Sequence, residues 1–192
     1  SWIGKICGEE KKLRRYELFS QKPLSGWELS KLGCEVAARA SANMVFSSVQ
    51  GGMMGALGIG LPDVPIFLAA VFKTLFEISL SFGYPYDTKQ EQTYQMLLIC
   101  AAVGEEAERK QAAVDANIVA QQIRMGAGIC SVSFEEAKQR ASKALCSAAL
   151  MGKMVQGAPI IGVYGGFRNG VLLKQIGTVA AVKYQQRMLR ER

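Results

Sequence analysis

Asp63, Lys73 and Glu77 lie inside one of the most apolar stretches of the chain, LPDVPIFLAAVFKTLFEISLSFGYPYD, residues 61–87. A carboxylate in such a setting is ordinary if it faces water. If it faces the interior it costs several kcal/mol unless paired and hydrogen-bonded, and it becomes a candidate for acid–base work. At helical spacing Ala70, Lys73, Thr74, Glu77 and Ser81 share one thin polar stripe, and the remaining positions are almost all apolar. A stripe this thin is readily covered, so Glu77 is expected to be at least half buried, with a partner other than Lys73. Lys before Glu is the weaker order for a pair one turn apart. Asp63 and Glu77 are 14 positions apart, about 21 Å along a continuous helix. They could work as a carboxylate pair only if the chain bent at Pro65.

The chain has no histidine, which removes Ser-His-Asp and Cys-His catalysis and mixed Cys/His zinc sites. Its five cysteines, Cys7, Cys34, Cys100, Cys130 and Cys146, form no CxxC pattern and read as reduced thiols of a cytosolic protein. Cys34, Cys100 and Cys146 sit in Ala-rich helical contexts that fit small core residues. The missing histidine and CxxC give no sign of a metal, and the missing GxxxxGK[ST] loop gives none of a nucleotide cofactor. YGGFRNG, residues 164–170, has two readings. One is a backbone nest for an anion beside Arg168. The favoured one is a turn between helices, with Asn169 capping the last helix.

The elements that must position these residues are helical nearly throughout. The 192 residues, 49 % of them apolar, fit a single domain spanning 1–192, an all-α bundle of about seven helices with Gly-rich connections. S-x-x-E spacings at Ser25–Glu28 and Ser133–Glu136 mark helix starts, and Asp87 with Gln90 caps another. The opening stretch makes a helix from about Val64 to Phe82, stopped by GYPYD, and the last helix is expected from about Val171. Residues 40–62 are uncharged, but serines, five glycines and Pro62 favour a buried segment over a membrane span. No signal peptide is indicated, because SWIGKIC is short and charges follow it.

The net charge of +7 is concentrated at the ends. Residues 1–31 carry seven Lys/Arg against four Glu, and residues 168–192 carry six against one. Lys11, Lys12, Arg14 and Arg15, with Arg187, Arg190 and Arg192, are expected to form one positive face for an anionic membrane surface or a membrane-protein partner. No helix-turn-helix, zinc-finger or RNP-like pattern points to nucleic acid.

The opening stretch also resembles the central signature of the EcsC protein family: an acid–Pro region, an apolar helix with a Glu-Ile pair, then Tyr-Gly-Tyr. Here Phe82 stands for the first tyrosine. APIIGVYGGFRNGVLLKQIGTVAAVKYQQRMLRER, residues 158–192, is similar to that family's C-terminal block. The positions matching family blocks are Asp63, Glu77, Tyr84, Gly165, Gly166 and Asn169. Within the matching block Arg168 is the best partner for Glu77, and Asn169 could donate a hydrogen bond. The resemblance implies a bacterial, cytoplasmic, membrane-associated accessory protein near an ABC transport system, and it supplies no reaction. The alternatives are a carrier or sensor of an apolar, lipid-like ligand, and an enzyme centred on Glu77.

Overall fold

The computed structural model describes the backbone of residues 63–154 and 161–191, and the side chains of residues 64–149 and 169–191. The expected features at Ser25–Glu28, residues 40–62, Lys11, Lys12, Arg14, Arg15, Arg192, Cys7 and Cys34 lie outside the described residues, as does the full helix count. Within them the architecture is all-α, with five helices and no strand. In chain order these are α1 (Asp63–Ser81), α2 (Lys89–Val103), α3 (Glu106–Arg124), α4 (Phe134–Met154) and α5 (Ile161–Arg190).

Helix α2 is the centre. Its run YQMLLICAA is apolar on every side, and a helix of that kind is stable only when neighbours surround it. It packs on α3, α4 and α5, while α1 lies against α5. Leu97, Leu98, Ile99 and Cys100 of α2 are fully buried, together with Leu173 and Ile176 of α5. Ala112 and Ala116 of α3 and Ala137 and Ala141 of α4 are buried as well. Side chains that small let helices approach closely.

The helix ends follow local chemistry. The Thr88 hydroxyl accepts from the Glu91 N–H at 3.2 Å, so α2 is capped by Thr88 and not by the Asp87–Gln90 pair. The Ser133 hydroxyl accepts from the Glu136 N–H at 3.2 Å, which is the cap expected for α4. Pro65 falls in the first turn of α1, where a missing N–H costs nothing, so α1 does not bend there. Its C-terminus closes as a Schellman motif. Gly83 takes φ 84°, its N–H reaches the Leu80 carbonyl, and the Tyr84 N–H reaches the Ser79 carbonyl. Helix α3 closes the same way at Gly126 (φ 68°), with Ala127 bonding back to Gln122. Glycine is favoured at both positions because a Cβ strains the left-handed region.

Two expectations are corrected. YGGFRNG is not a turn, because residues 161–190 form one helix about 45 Å long, starting ten residues before Val171. Its amide groups lie within that helix, so the anion nest is excluded too. Cys146, expected in the core, is exposed, whereas Cys100 is buried and Cys130 intermediate; all three are free thiols.

This placement sets the order of thiol reactivity. Burial pushes the Cys100 thiol up to about 12, and the reactive species is the thiolate. Peptide mapping after brief alkylation of the native protein should find Cys146 modified and Cys100 untouched until denaturant is added. Early labelling of Cys100 would show that α2 is not enclosed as described.

Candidate functional site

Among the described residues, the largest concentration of buried polar groups forms where α1, α2 and α5 meet. Glu91 of α2 is 1 % exposed, Tyr184 of α5 is 0 % and Arg187 of α5 is 6 %. Arg187 Nη1 donates to both Glu91 carboxylate oxygens, at 3.1 Å and 2.8 Å. The Tyr184 hydroxyl donates to Glu91 Oε1 at 2.6 Å and accepts from Gln95 Nε2 at 3.3 Å. Arg187 Nε turns to Glu191 at 3.0 Å, and the Tyr84 hydroxyl donates to the other Glu191 oxygen at 2.7 Å. The guanidinium also sits over two rings, 4.0 Å from the Tyr84 centroid and 5.3 Å from that of Tyr94.

Each side chain arrives by a local rule. Glu91, Tyr94 and Gln95 are spaced three and four apart on α2 and so share one face. Tyr184, Arg187 and Glu191 follow the same spacing on α5. Tyr84 comes from the turn after α1, where the Ser79 hydroxyl donates to the Tyr84 and Pro85 carbonyls at 2.9 Å and 3.2 Å. Phe82 stacks on Tyr184 at 6.4 Å, and Tyr94 meets it edge-on at 5.2 Å.

The electrostatics oppose each other within this cluster. Burial raises the Glu91 carboxyl above its ordinary value, while Arg187 and the Tyr184 hydroxyl pull it down. Burial, then the Glu91 charge, holds the Tyr184 hydroxyl protonated, which keeps it a donor. Gln95 Oε1 has no hydrogen-bond partner among the described residues, a penalty of roughly 1–3 kcal/mol. The result is an ionic network that is buried except at Glu191, with both Glu91 oxygens occupied.

A second cluster joins α3 to α4. Arg140 lies 2.8 Å from both Glu108 and Asp115, and Gln111 donates to Asp115 at 2.9 Å. It is partly exposed, and it ties two helices through three charges.

The residues singled out in the sequence fall in several places. Tyr84 is in the buried network. Arg187 is in it too and does not belong to a basic surface, because Glu91 and Glu191 hold it in the interior. Glu77 is more than half buried, its side chain 15 % exposed, and it pairs with Lys73 at 3.3 Å. Arg168 lies on α5, but its side chain, like that of Asp63, is outside the described residues. Asn169 lies inside α5 and is not its cap. Asp63 and Glu77 share the unbroken α1, so their backbones stay about 21 Å apart and the carboxylate pair does not form. Glu91 was not singled out. Its signal was the Thr88-x-x-Glu91 spacing, which marks a helix start but says nothing of a buried acid. Among the described residues no group of three His, Cys, Asp or Glu could hold a metal ion.

Residues 8–189 match the model of the EcsC protein family. No curated protein and no solved structure matches the chain.

The network predicts a coupled pair. Glu91→Leu and Arg187→Met should each lower stability by about 3–5 kcal/mol, and the double variant should lose less than the sum. Urea unfolding of the four proteins measures this, and simple additivity would show the two side chains to be independent. The pH dependence has a definite sign. In Arg187→Met the bare carboxyl escapes its penalty by taking a proton, so the destabilisation should shrink as pH falls from neutral toward the carboxyl range.

Proposed function

This chain belongs to the EcsC protein family, and from that premise we propose that it is a non-enzymatic accessory module working at the cytoplasmic face of a membrane. The observation that carries the non-enzymatic reading is the closure of the Glu91–Tyr184–Arg187 network. Its carboxylate is fully engaged and each of the three residues is at most 6 % exposed. A general acid or base must come within hydrogen-bond reach of a substrate proton, and these groups are spent on one another. An enzyme centred on Glu77 draws no support from Asp63, which does not approach it.

Two features favour the membrane setting. One is the basic character of residues 168–192. The other is α1: its segment Val64–Ser81 is long and apolar enough to cross a bilayer, and only 33 % of it is buried. Soluble core helices pass the same test of length and composition, and α1 packs on α5 through Phe67, Val71, Leu75 and Ile78. The reading is therefore a peripheral module, with a transport system as the neighbouring partner that the sequence resemblance implies.

The full chain should float with vesicles containing anionic phospholipid and stay behind with neutral ones, and high salt should release it. Equal recovery with both lipids would sink the membrane-face reading. A turnover reaction lost in Glu91→Gln but not in a surface variant would sink the non-enzymatic one.

A further inference from the structure

Two exposed apolar stripes lie side by side on the far side of α3 and α5 from the core. Val114, Ile118 and Met125 recur at spacings of four and seven, and Val171, Val182 and Leu189 at eleven and seven, so each set follows one helix face. All six side chains are between 40 % and 65 % exposed. The two helices run in the same direction. Lys183 Nζ donates to the Ala113 carbonyl at 3.2 Å and to Asn117 Oδ1 at 3.0 Å, and further along Arg124 donates to the Arg190 carbonyl at 3.0 Å. In two parallel right-handed helices, the residue after a contact position on one and the residue before it on the other point to the same side. Val114, Ile118 and Met125 follow Ala113, Asn117 and Arg124. Val182 and Leu189 precede Lys183 and Arg190. The stripes therefore share one surface, about 27 Å long between Val171 and Leu189.

The unmatched charge on this surface has one sign. Among the described residues no carboxylate lies within ion-pair distance of Arg124, Lys174, Lys183 or Arg190. Lys183 has only neutral acceptors, and its pKa is lowered by burial and then by the charge of Arg190. The nearby acid on α3, Glu106, is matched by Lys110 at 2.6 Å. A partner for this face must bring negative charge at the edge and apolar material behind it, over a long strip. An anionic bilayer has that layered chemistry, and a helix lying in its interface uses cations beside an aliphatic face in this way.

We propose that the α3–α5 face is the surface by which this protein docks on membranes containing anionic phospholipid, with Val182, Leu189, Ile118 and Met125 entering the headgroup boundary and Arg124, Lys174 and Arg190 meeting phosphate. The assignment rests on the membrane-face reading above and gives it a location. The test uses the full chain and vesicles of phosphatidylcholine, with and without phosphatidylglycerol. Lys174→Gln and Arg190→Gln should each weaken binding to the anionic vesicles about fivefold. Val182→Asp with Leu189→Asp should abolish it, while circular dichroism and the thermal midpoint stay at wild-type values. Wild-type binding retained by all these variants would overturn the docking face and leave the membrane-face reading standing. No vesicle binding by the wild type would remove both. If the same variants lose binding to membrane proteins but not to lipid, the face belongs to a protein partner and the proposal is overturned.

Discussion

A guanidinium cannot shed its charge inside a protein, and Arg187 sits at the junction of α1, α2 and α5 with 6 % exposure. Burial of an arginine must be matched by a carboxylate, by further acceptors and by polarisable surface, or the core is destabilised by several kcal/mol. Each neighbour meets part of that demand. Glu91 supplies the charge, Glu191 occupies Nε, and Tyr84 and Tyr94 present ring faces. Tyr184 then orders Glu91, and Gln95 orders Tyr184. The positions of three helices are thus fixed relative to one another by directional contacts, in a core whose other contacts are aliphatic and tolerant of sliding.

The turn after α1 belongs to the same constraint. Without the left-handed conformation at Gly83 the chain could not double back to place Tyr84 over Arg187. Ser79 fixes that turn from within the helix by bonding two carbonyls beyond it. A backbone preference at one glycine therefore determines where an aromatic ring lies, and the ring helps make a buried cation tolerable.

Much of the helical order was legible because periodicity and caps act locally. The stop at Gly83–Tyr84 and the Ser133–Glu136 start needed only neighbouring residues. What failed depended on partners far along the chain. Arg187 looked like one of a run of surface cations, because nothing within a few residues shows that Glu91 awaits it. Glu91 looked like a first-turn acid, a placement favoured at helix starts on its own account. Cys146 sits among alanines, and only the packing of α4 shows that its side faces out. YGGFRNG misled for a different reason. Glycine lowers helix propensity by about 1 kcal/mol per residue, yet tertiary packing routinely overrides that bias. Tyr84 was noticed only through family resemblance, because no local pattern shows that its ring lies over Arg187.

The distance in sequence between Glu91 and Arg187, 96 positions, has a consequence for biosynthesis. As the chain leaves a ribosome, α2 is complete long before its counter-ion is made. Until α5 follows, the central helix of the domain carries a carboxylate whose counter-ion has not been made, and burying it unpaired costs several kcal/mol. When Tyr184, Arg187 and Glu191 emerge within two helical turns of one another, charge, hydroxyl and ring faces arrive almost together. A chain that ends before α5 therefore lacks both the counter-ion and the hydroxyl that Glu91 needs, and the face of α2 that packs on α5 stays uncovered.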